Sequence, residues 1–287
     1  MQVHQYIFDR LAVRRHRNRA ATFSSKHAFL HREVYNQFKN RQKDIKRTFT
    51  NILEIGSSFL PEQLESKDVF TVNADLSESL LIKFATSQPV ICDEEFIPFS
   101  EKTFDLITSN LTLHWLNDIP GALHQIKNVL KPDGLFLGAM LGGDTLIELR
   151  SSLLEAEIQN SSSVSSRTSP VLDLTEAGLL MQRAGFSLPV IDTDIITVTY
   201  NDIFALMREL RAMGETNSLI SRSKKTLSRK TLTTAASFYK KKYPAENGRI
   251  RATFQIIWLT GWSPHANQPK PKPRGSGQMS LSKFLEN

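Results

Sequence analysis

An apolar run closing on Leu53-Glu54-Ile55-Gly56 is followed, nineteen residues beyond the glycine, by Asp75 at the end of a second apolar run. Glycine at a strand end lets the main chain approach a ligand, and a carboxylate after the next strand accepts hydrogen bonds from ribose hydroxyls. The pair points to a nucleotide site at the carboxyl ends of parallel strands. Asp75 has a second use open to it, as the N-cap of a helix over 76–85. Metal chemistry has no comparable signature. The seven histidines include no His-Glu-x-x-His, and a single cysteine, Cys92, excludes a disulfide framework and a cysteine zinc cluster.

The elements that must hold these residues are legible as pattern. Apolar runs at 51–55, 69–74, 89–92, 104–108 and 135–141 alternate with helical spacing at 77–86, 119–130 and 144–159. That alternation predicts βαβ units and a mostly parallel, doubly wound α/β sheet. Lys131-Pro132-Asp133-Gly134 reads as a turn, Pro132 fixing φ and Gly134 taking the positive-φ position. The polar stretch 160–169 reads as an exposed loop, 173–184 as a helix stopped by Gly185, and the β-branched runs 193–200 and 253–259 as further strands. The predicted organisation is a basic helical arm over 1–49, an α/β domain over 50–268 with a helical insertion at about 201–250, and a flexible Pro/Gly-rich tail over 269–287. In the arm, Phe8, Leu11 and Arg15 form one side of a docking helix, a mitochondrial presequence being the alternative.

The 287 residues carry a formal charge of +7, very unevenly spread. Residues 1–50 hold 12 Lys/Arg against 3 Asp/Glu, 51–200 hold 8 against 21, and 201–287 hold 16 against 5. An acidic core therefore bears basic attachments. Aromatic residues are too sparse in the flanks for nucleic acid to be the expected partner; an acidic protein or a peripheral membrane contact suits them better. No run of eighteen apolar residues occurs, so no transmembrane span is expected.

Further motifs stand in order beyond the first: Asp93–Phe99 (DEEFIPF), Thr103–Ile107 (TFDLI), Asn110–Trp115 (NLTLHW) and Leu130–Phe136 (LKPDGLF). Together they resemble the class I S-adenosylmethionine-dependent methyltransferases across about residues 50–141. The resemblance implies a seven-stranded Rossmann-like sheet with the helical insertion before its last strand. Ile7–Arg10 (IFDR), Leu113-His114-Trp115, Gly142–Leu146 (GGDTL), Gly185-Phe186, Met213–Asn217 (MGETN) and Ala252–Ile256 (ATFQI) are similar to a narrower group. That group is the methyltransferase-like protein-arginine hydroxylases that assist assembly of mitochondrial complex I, with their bacterial relatives. This likeness runs from about Ile7 to Phe284; a more distant one, limited to the core, is to malonyl-carrier-protein methyltransferases.

The resemblance assigns roles residue by residue. Glu54, Gly56 and Ser57 would line the methionine and ribose end of S-adenosylmethionine, and Asp75 with Leu76 would hold the ribose diol. Asp93 and Glu94 would face adenine, unless they form a solvated acidic turn. Asn110 and Leu111 would border the methionine moiety. His114 suits a general base titrating near neutrality, or a hydrogen-bonded, partly buried histidine. Trp115 suits a packing wall, or a face for an arginine guanidinium. Asp144 would cap the next helix or, like Glu215, pair with a substrate arginine.

One stretch departs from the family pattern. Its loop runs Glu/Asp-x-Gly-x-Gly-x-Gly, whereas Ser58 and Leu60 fill two of the glycine positions here. Leu60 puts a branched side chain where the main chain should approach the ligand, and the twelve residues 57–68 make a crossover near the minimum length. Three functions are implied. The first is S-adenosylmethionine-dependent methyl transfer to a protein or small acidic acceptor, achieved mainly by positioning. The second is arginine hydroxylation supporting assembly of the respiratory NADH dehydrogenase, and the third an assembly role with a decayed cofactor site. Oxygen activation ordinarily uses iron, flavin or another redox group, for which no motif is recognised. The expected compartment is the bacterial cytoplasm, with the mitochondrial matrix or inner-membrane periphery as the alternative.

Overall fold

The computed structural model describes residues 6–23, 27–56, 69–85, 87–160, 164–167, 169–170, 172–269 and 275–276. Ser57, Ser58 and Leu60 of the altered loop, and most of the tail, lie outside the described residues. Seven strands form one sheet: β1 (Asn51–Ile55), β2 (Phe70–Asp75), β3 (Gln88–Ile91), β4 (Phe104–Asn110), β5 (Leu130–Leu141), β6 (Ser187–Tyr200) and β7 (Ile250–Trp262). Their order is β3-β2-β1-β4-β5-β7-β6, parallel from β3 to β5, with β7 antiparallel to both neighbours. The expected doubly wound sheet is therefore present. Strand order reverses between β1 and β4, and their carboxyl ends open the crevice in which such sheets bind ligands. β4 is buried throughout, Leu106 feeding one core and Ile107 the other, which is why its sequence does not alternate.

Helices close both faces. α1 (Arg10–Ala20) lies in the arm, followed by α2 (Phe29–Lys43). After β2 comes α3 (Glu78–Phe84), and after β4 comes α4 (Ile119–Val129). α5 (Ile147–Asn160) and α6 (Leu174–Ala184) precede β6, while α7 (Ile203–Met213) and α8 (Arg229–Lys242) form the insertion. Leu30, Phe38, Leu153, Leu206 and Tyr239 pack α2, α5, α7 and α8 on one face; Leu123, Ile126 and Met181 pack α4 and α6 on the other. The helix starts are written in the sequence. Asp9, Ser77, Asp118, Asp173, Asp202 and Ser228 each accept a first-turn main-chain N–H, and Gly185 and Gly214 end α6 and α7 in the left-handed region.

Several local expectations are corrected. In the Lys131–Gly134 segment the positive φ falls on Asp133 (62°), not on Gly134. Gly134 is required for space instead, since a Cβ there would lie 2.8 Å from the Lys131 carbonyl oxygen. Asp75 does not cap α3; Ser77 does, and Asp75 accepts the Ser77 N–H at 2.7 Å. Asp144 caps nothing, because α5 starts three residues later, after Leu146 at φ 54°. The arm's buried face is also not Leu11 and Arg15, which are exposed, but Ala12, Val13, Arg17 and Ala20. Arg17 turns inward because buried carboxylates wait for it.

Candidate functional site

Arg10 and Arg17 stand seven residues apart, two turns along one face of α1. Arg10 donates from Nη2 and Nε to the two oxygens of Asp93, at 2.6 and 3.2 Å, and from Nη1 to the Trp115 carbonyl at 3.1 Å. It also bonds Glu94. Arg17 bonds Glu94 from the other side and reaches Asp75 Oδ1 at 3.5 Å. Asp93 and Glu94 are thus neither a solvated turn nor an open edge; they receive the arm. Arg17, Asp75 and Glu94 are all buried. Two guanidinium groups face three carboxylates, which leaves one excess negative charge. Burial lifts the Asp75 carboxyl against the pull of Arg17, with the Glu94 charge adding to the rise. Burial acts the same way on Glu94, but Arg17 and Arg10 together outweigh it and hold that carboxyl below its usual range.

The arm is clasped by the insertion. The Asp9 N–H donates to the Ser218 carbonyl at 2.8 Å, the Ile220 N–H to the Ile7 carbonyl at 2.9 Å, and Arg222 to Asp9 at 2.9 Å. Asn117 Oδ1 accepts from the Ile7 and Phe8 N–H groups at 2.8 and 2.7 Å. Phe8, Val13, Leu76, Trp115 and Leu219 form a small core beneath.

At the other end of the crevice, Gly56 adopts φ 73°. A Cβ there would sit 2.1 Å from Thr112 Cγ2 and 2.7 Å from the Asn110 carbonyl oxygen, so only glycine fits. Buried Glu54 accepts from Asn73 Nδ2 at 2.9 Å. Asn110 donates to the His31 carbonyl at 3.0 Å, while its buried Oδ1 has no hydrogen-bond partner among the described residues. Leu111 takes a positive φ of 53° and donates its N–H to the Ala139 carbonyl at 3.0 Å. α2 lays His31 and Tyr35 over this end. Burial pushes His31 down to about 4, so it is neutral near pH 7, and burial together with the Glu54 charge raises the Tyr35 phenol.

A cavity of about 630 Å³ opens between α5, α7 and the short 3₁₀ turn Leu113–Trp115. Leu149, Leu153, Met207 and Phe254 wall it, and His114, Trp115 and Glu215 border it. His114 Nε2 lies 3.0 Å from Glu215 Oε2, and Trp115 Nε1 donates to the same oxygen at 3.2 Å. The Leu141 N–H approaches His114 Nδ1 at 3.5 Å, the outer limit of a hydrogen bond. Both ring nitrogens of His114 therefore face protein groups, an arrangement that orients Glu215. Burial alone would lift the Glu215 carboxyl; the His114 ring, by charge and hydrogen bond, outweighs it and holds the group below the usual range. Asp144 does not line the cavity; it is exposed, its N–H held by Gln255 Oε1 at 2.9 Å. Among the described residues no three His, Cys, Asp or Glu side chains gather at metal-ligand spacing.

Residues 53–138 match the family model described as a methyltransferase domain. The chain is 43% identical over 285 residues to the mitochondrial arginine-hydroxylase NDUFAF5 of Danio rerio, covering 96% of this chain and 88% of that one. It belongs to the NDUFAF5 family. At 30% identity it is also similar to the malonyl-[acyl-carrier protein] O-methyltransferase of Methylovorus sp., over 94% of this chain and 95% of the relative. The YcgJ protein of Bacillus subtilis shares the fold, with a TM-score of 0.53 at 14% identity, over 82% of this chain and 99% of that one. The NDUFAF5 relatives are mitochondrial by name, and among the described residues no helix is long and apolar enough to cross a membrane.

For this member of the NDUFAF5 family, sequence reasoning placed Asp75 and Asn110 at strand ends but missed the arm's contribution. Arg17 drew no reading of its own within the basic arm, and Arg10 stood only in the Ile7–Arg10 likeness. The available signal was their spacing of seven, which aims two cations from one helix face at the acidic ends of β2 and β3. His31 and Tyr35 carried no motif at all, and Thr112 drew no role of its own within Asn110–Trp115.

Proposed function

We propose that this chain modifies a protein side chain, with S-adenosylmethionine in the crevice at the ends of β1, β2 and β4 and the acceptor in the cavity above Glu215. One observation carries the reading: a single six-residue segment, Asn110–Trp115, borders both places. Its first two residues end β4 in the crevice, and its last two, His114 and Trp115, line the cavity. The residues present suit the cofactor. Asn110 Oδ1 is a buried acceptor without a partner among the described residues, Glu54 and Asp75 are carboxylates at the strand ends, and Gly56 brings the end of β1 against Asn110 and Thr112 with no side chain of its own.

When bound, the cofactor supplies a sulfonium methyl group. Glu54, Gly56, Asn110 and Leu111 would hold its amino-acid end, and Asp75 its ribose, with Arg17 sharing that carboxylate. Glu215, fixed by His114 and Trp115, would orient a cationic acceptor such as an arginine guanidinium, a bidentate match of known strength. The relatives' name favours a second outcome at this place: hydroxylation of an arginine in a respiratory NADH dehydrogenase subunit, in support of that complex's assembly. The glycine positions filled by Ser58 and Leu60 favour a third, an assembly factor with a decayed cofactor site. The bacterial cytoplasm, or its counterpart the mitochondrial matrix, is the compartment that suits such a partner.

Calorimetry with S-adenosylmethionine and S-adenosylhomocysteine separates the readings. Binding is expected; no heat and no thermal shift at millimolar ligand would remove the methyl-transfer reading and leave the assembly role. Mass spectrometry of the NADH dehydrogenase subunits then distinguishes a gain of one CH₂ from a gain of one oxygen atom.

A further inference from the structure

Five arginines line the 630 Å³ cavity, and they are not equivalent. Arg167 is paired with Glu157 and Arg222 with Asp9. Arg150 Nη2 holds the carbonyls of Gly143 and Thr145, while its buried Nε has no partner among the described residues. Arg208 and Arg211 are exposed on α7 and make no ion pair among the described residues. Arg211, in the last turn of α7, gains something from the helix dipole, but Arg208 lies a turn back and does not. The mouth is crowded with like charge. Arg19 is pushed down by burial and by Arg211, and His16 by burial, Arg19 and Arg222. Such crowding costs energy that a bound anion would recover.

The shape narrows the ligand. A second cavity of about 270 Å³ shares Arg150, Leu153 and Arg167 with the first, so the depression runs on along α5 rather than closing around one small molecule. The larger cavity is walled mainly by Leu149, Leu153, Met207 and Phe254. The smaller adds Leu154 and Val164 beside the Arg167–Glu157 pair, and Phe204 at the edge is 39% exposed. A nucleic acid backbone has little use for leucine, methionine and phenylalanine walls.

We propose that this elongated depression docks an acidic, partly apolar polypeptide segment, whose carboxylates are held at the mouth by Arg208 and Arg211. The proposal rests on the cavity being the acceptor site, and adds the chemistry of the residues flanking the acceptor. Arg208 and Arg211 would then fix where along a partner chain the reaction falls, while Glu215 receives the acceptor itself.

The test is fluorescence anisotropy on the full chain, without cofactor. The probe is a labelled twelve-residue peptide carrying one arginine flanked by aspartate and phenylalanine. Its lysine-for-aspartate counterpart and a labelled single-stranded RNA serve as comparisons. The acidic peptide is expected to bind with an affinity that falls as salt rises, and the lysine peptide to bind at least about tenfold more weakly. R208Q/R211Q should lose about tenfold or more in affinity for the acidic peptide, and R208E/R211E should regain the lysine peptide. Lys241→Gln, on exposed α8 away from the cavity, should change nothing. Equal binding of both peptides, RNA bound more tightly than the acidic peptide, or an R208Q/R211Q variant that binds like the parent would each overturn the proposal. Peptide binding that survives in a protein unable to bind S-adenosylmethionine would leave the docking site standing while removing methyl transfer. Modification of a partner that is indifferent to R208Q/R211Q would do the reverse.

Discussion

Replacing Arg17 by methionine isolates the ionic link between the arm and the sheet. The substitution keeps a long apolar stem and removes the one cation among the described residues that faces both Glu94 and Asp75. Glu94 keeps Arg10, but the Asp75 carboxylate retains, among the described residues, the Ser77 N–H alone. Breaking a buried pair by removing one partner typically costs ~3–5 kcal/mol, because a charge is left buried without compensation. For a chain of this size, at about 2.1 cal/mol/K of unfolding entropy per residue, that corresponds to a drop in Tm of roughly 5–8 °C. The penalty has a ceiling, since the arm can undock rather than bury bare carboxylates. Urea unfolding followed by tryptophan fluorescence, with limited trypsin digestion of the arm, measures both routes. Trp115 lies under the arm against Phe8, at a centroid distance of 5.5 Å, and reports on docking.

The pH dependence fixes the cause. Glu94 has a folded-state pKa below its ordinary value of 4.5, so in the parent protein it contributes stability above pH 4.5 that is lost as pH falls through the lowered value. Without Arg17 that contribution shrinks, so the gap between parent and variant should be largest near pH 7 and close toward pH 4. Adding Glu94→Leu should recover part of the loss at pH 7. A variant that melts within about 2 °C of the parent, resists trypsin equally and shows no pH-dependent gap would refute the reasoning.

The remaining predictions are more local. Gly56→Ala should cost about 2–4 kcal/mol by denaturant titration, because its Cβ meets Thr112 and the rigid Asn110 main chain at positive φ. Gly261→Ala, whose nearest obstacle is the flexible end of Met181 at 2.6 Å, should cost less than about 1.5 kcal/mol in the same assay. Asn117→Ala removes the acceptor of two arm N–H groups and should cost about 1–3 kcal/mol, read as faster hydrogen exchange at Ile7 and Phe8. Glu215→Gln can still accept from His114 and Trp115, so Tm should move little, while KM for an arginine-bearing acceptor rises about tenfold or more with a smaller change in kcat.

Much of the core was legible because its signals are local. β4 shows no polar–apolar alternation because both its faces are covered, and α6 announces itself by Asp173, Glu176 and Gly185. Asp75 and Asn110 stood out because they end β2 and β4, and Glu94 because it follows β3. What escaped depends on contacts between distant segments. Arg17 is buried because carboxylates at the end of β2 and beyond β3, 58 and 77 residues later, face it. Of Phe8, Leu11 and Arg15, read as one side of a docking helix, Phe8 is buried, whereas Leu11 and Arg15 are exposed and Arg17 lies on the inward face with its carboxylate partners. Gly134 was assigned the special backbone angle, whereas Asp133, a residue type that tolerates the left-handed region, takes it. The His114–Glu215 contact joins residues a hundred positions apart and follows from no periodicity.

The clasp between arm and insertion has a consequence for synthesis. The arm is made before the insertion that clasps it, and one of its anchoring contacts, Asp9 with Arg222, spans 213 residues. At elongation rates of roughly 5–20 residues per second, that contact waits on the order of 10–40 s for its second partner. The carboxylates that receive Arg10 and Arg17, and Asn117 that holds Ile7 and Phe8 of the arm, are made much earlier. A chain stopped between residues 142 and 217 would hold the parallel strands β1 to β5 and those contacts, but not the Ser218, Ile220 and Arg222 side of the clasp. The seat of the arm is therefore built in two instalments, the acidic floor first and the clasp later.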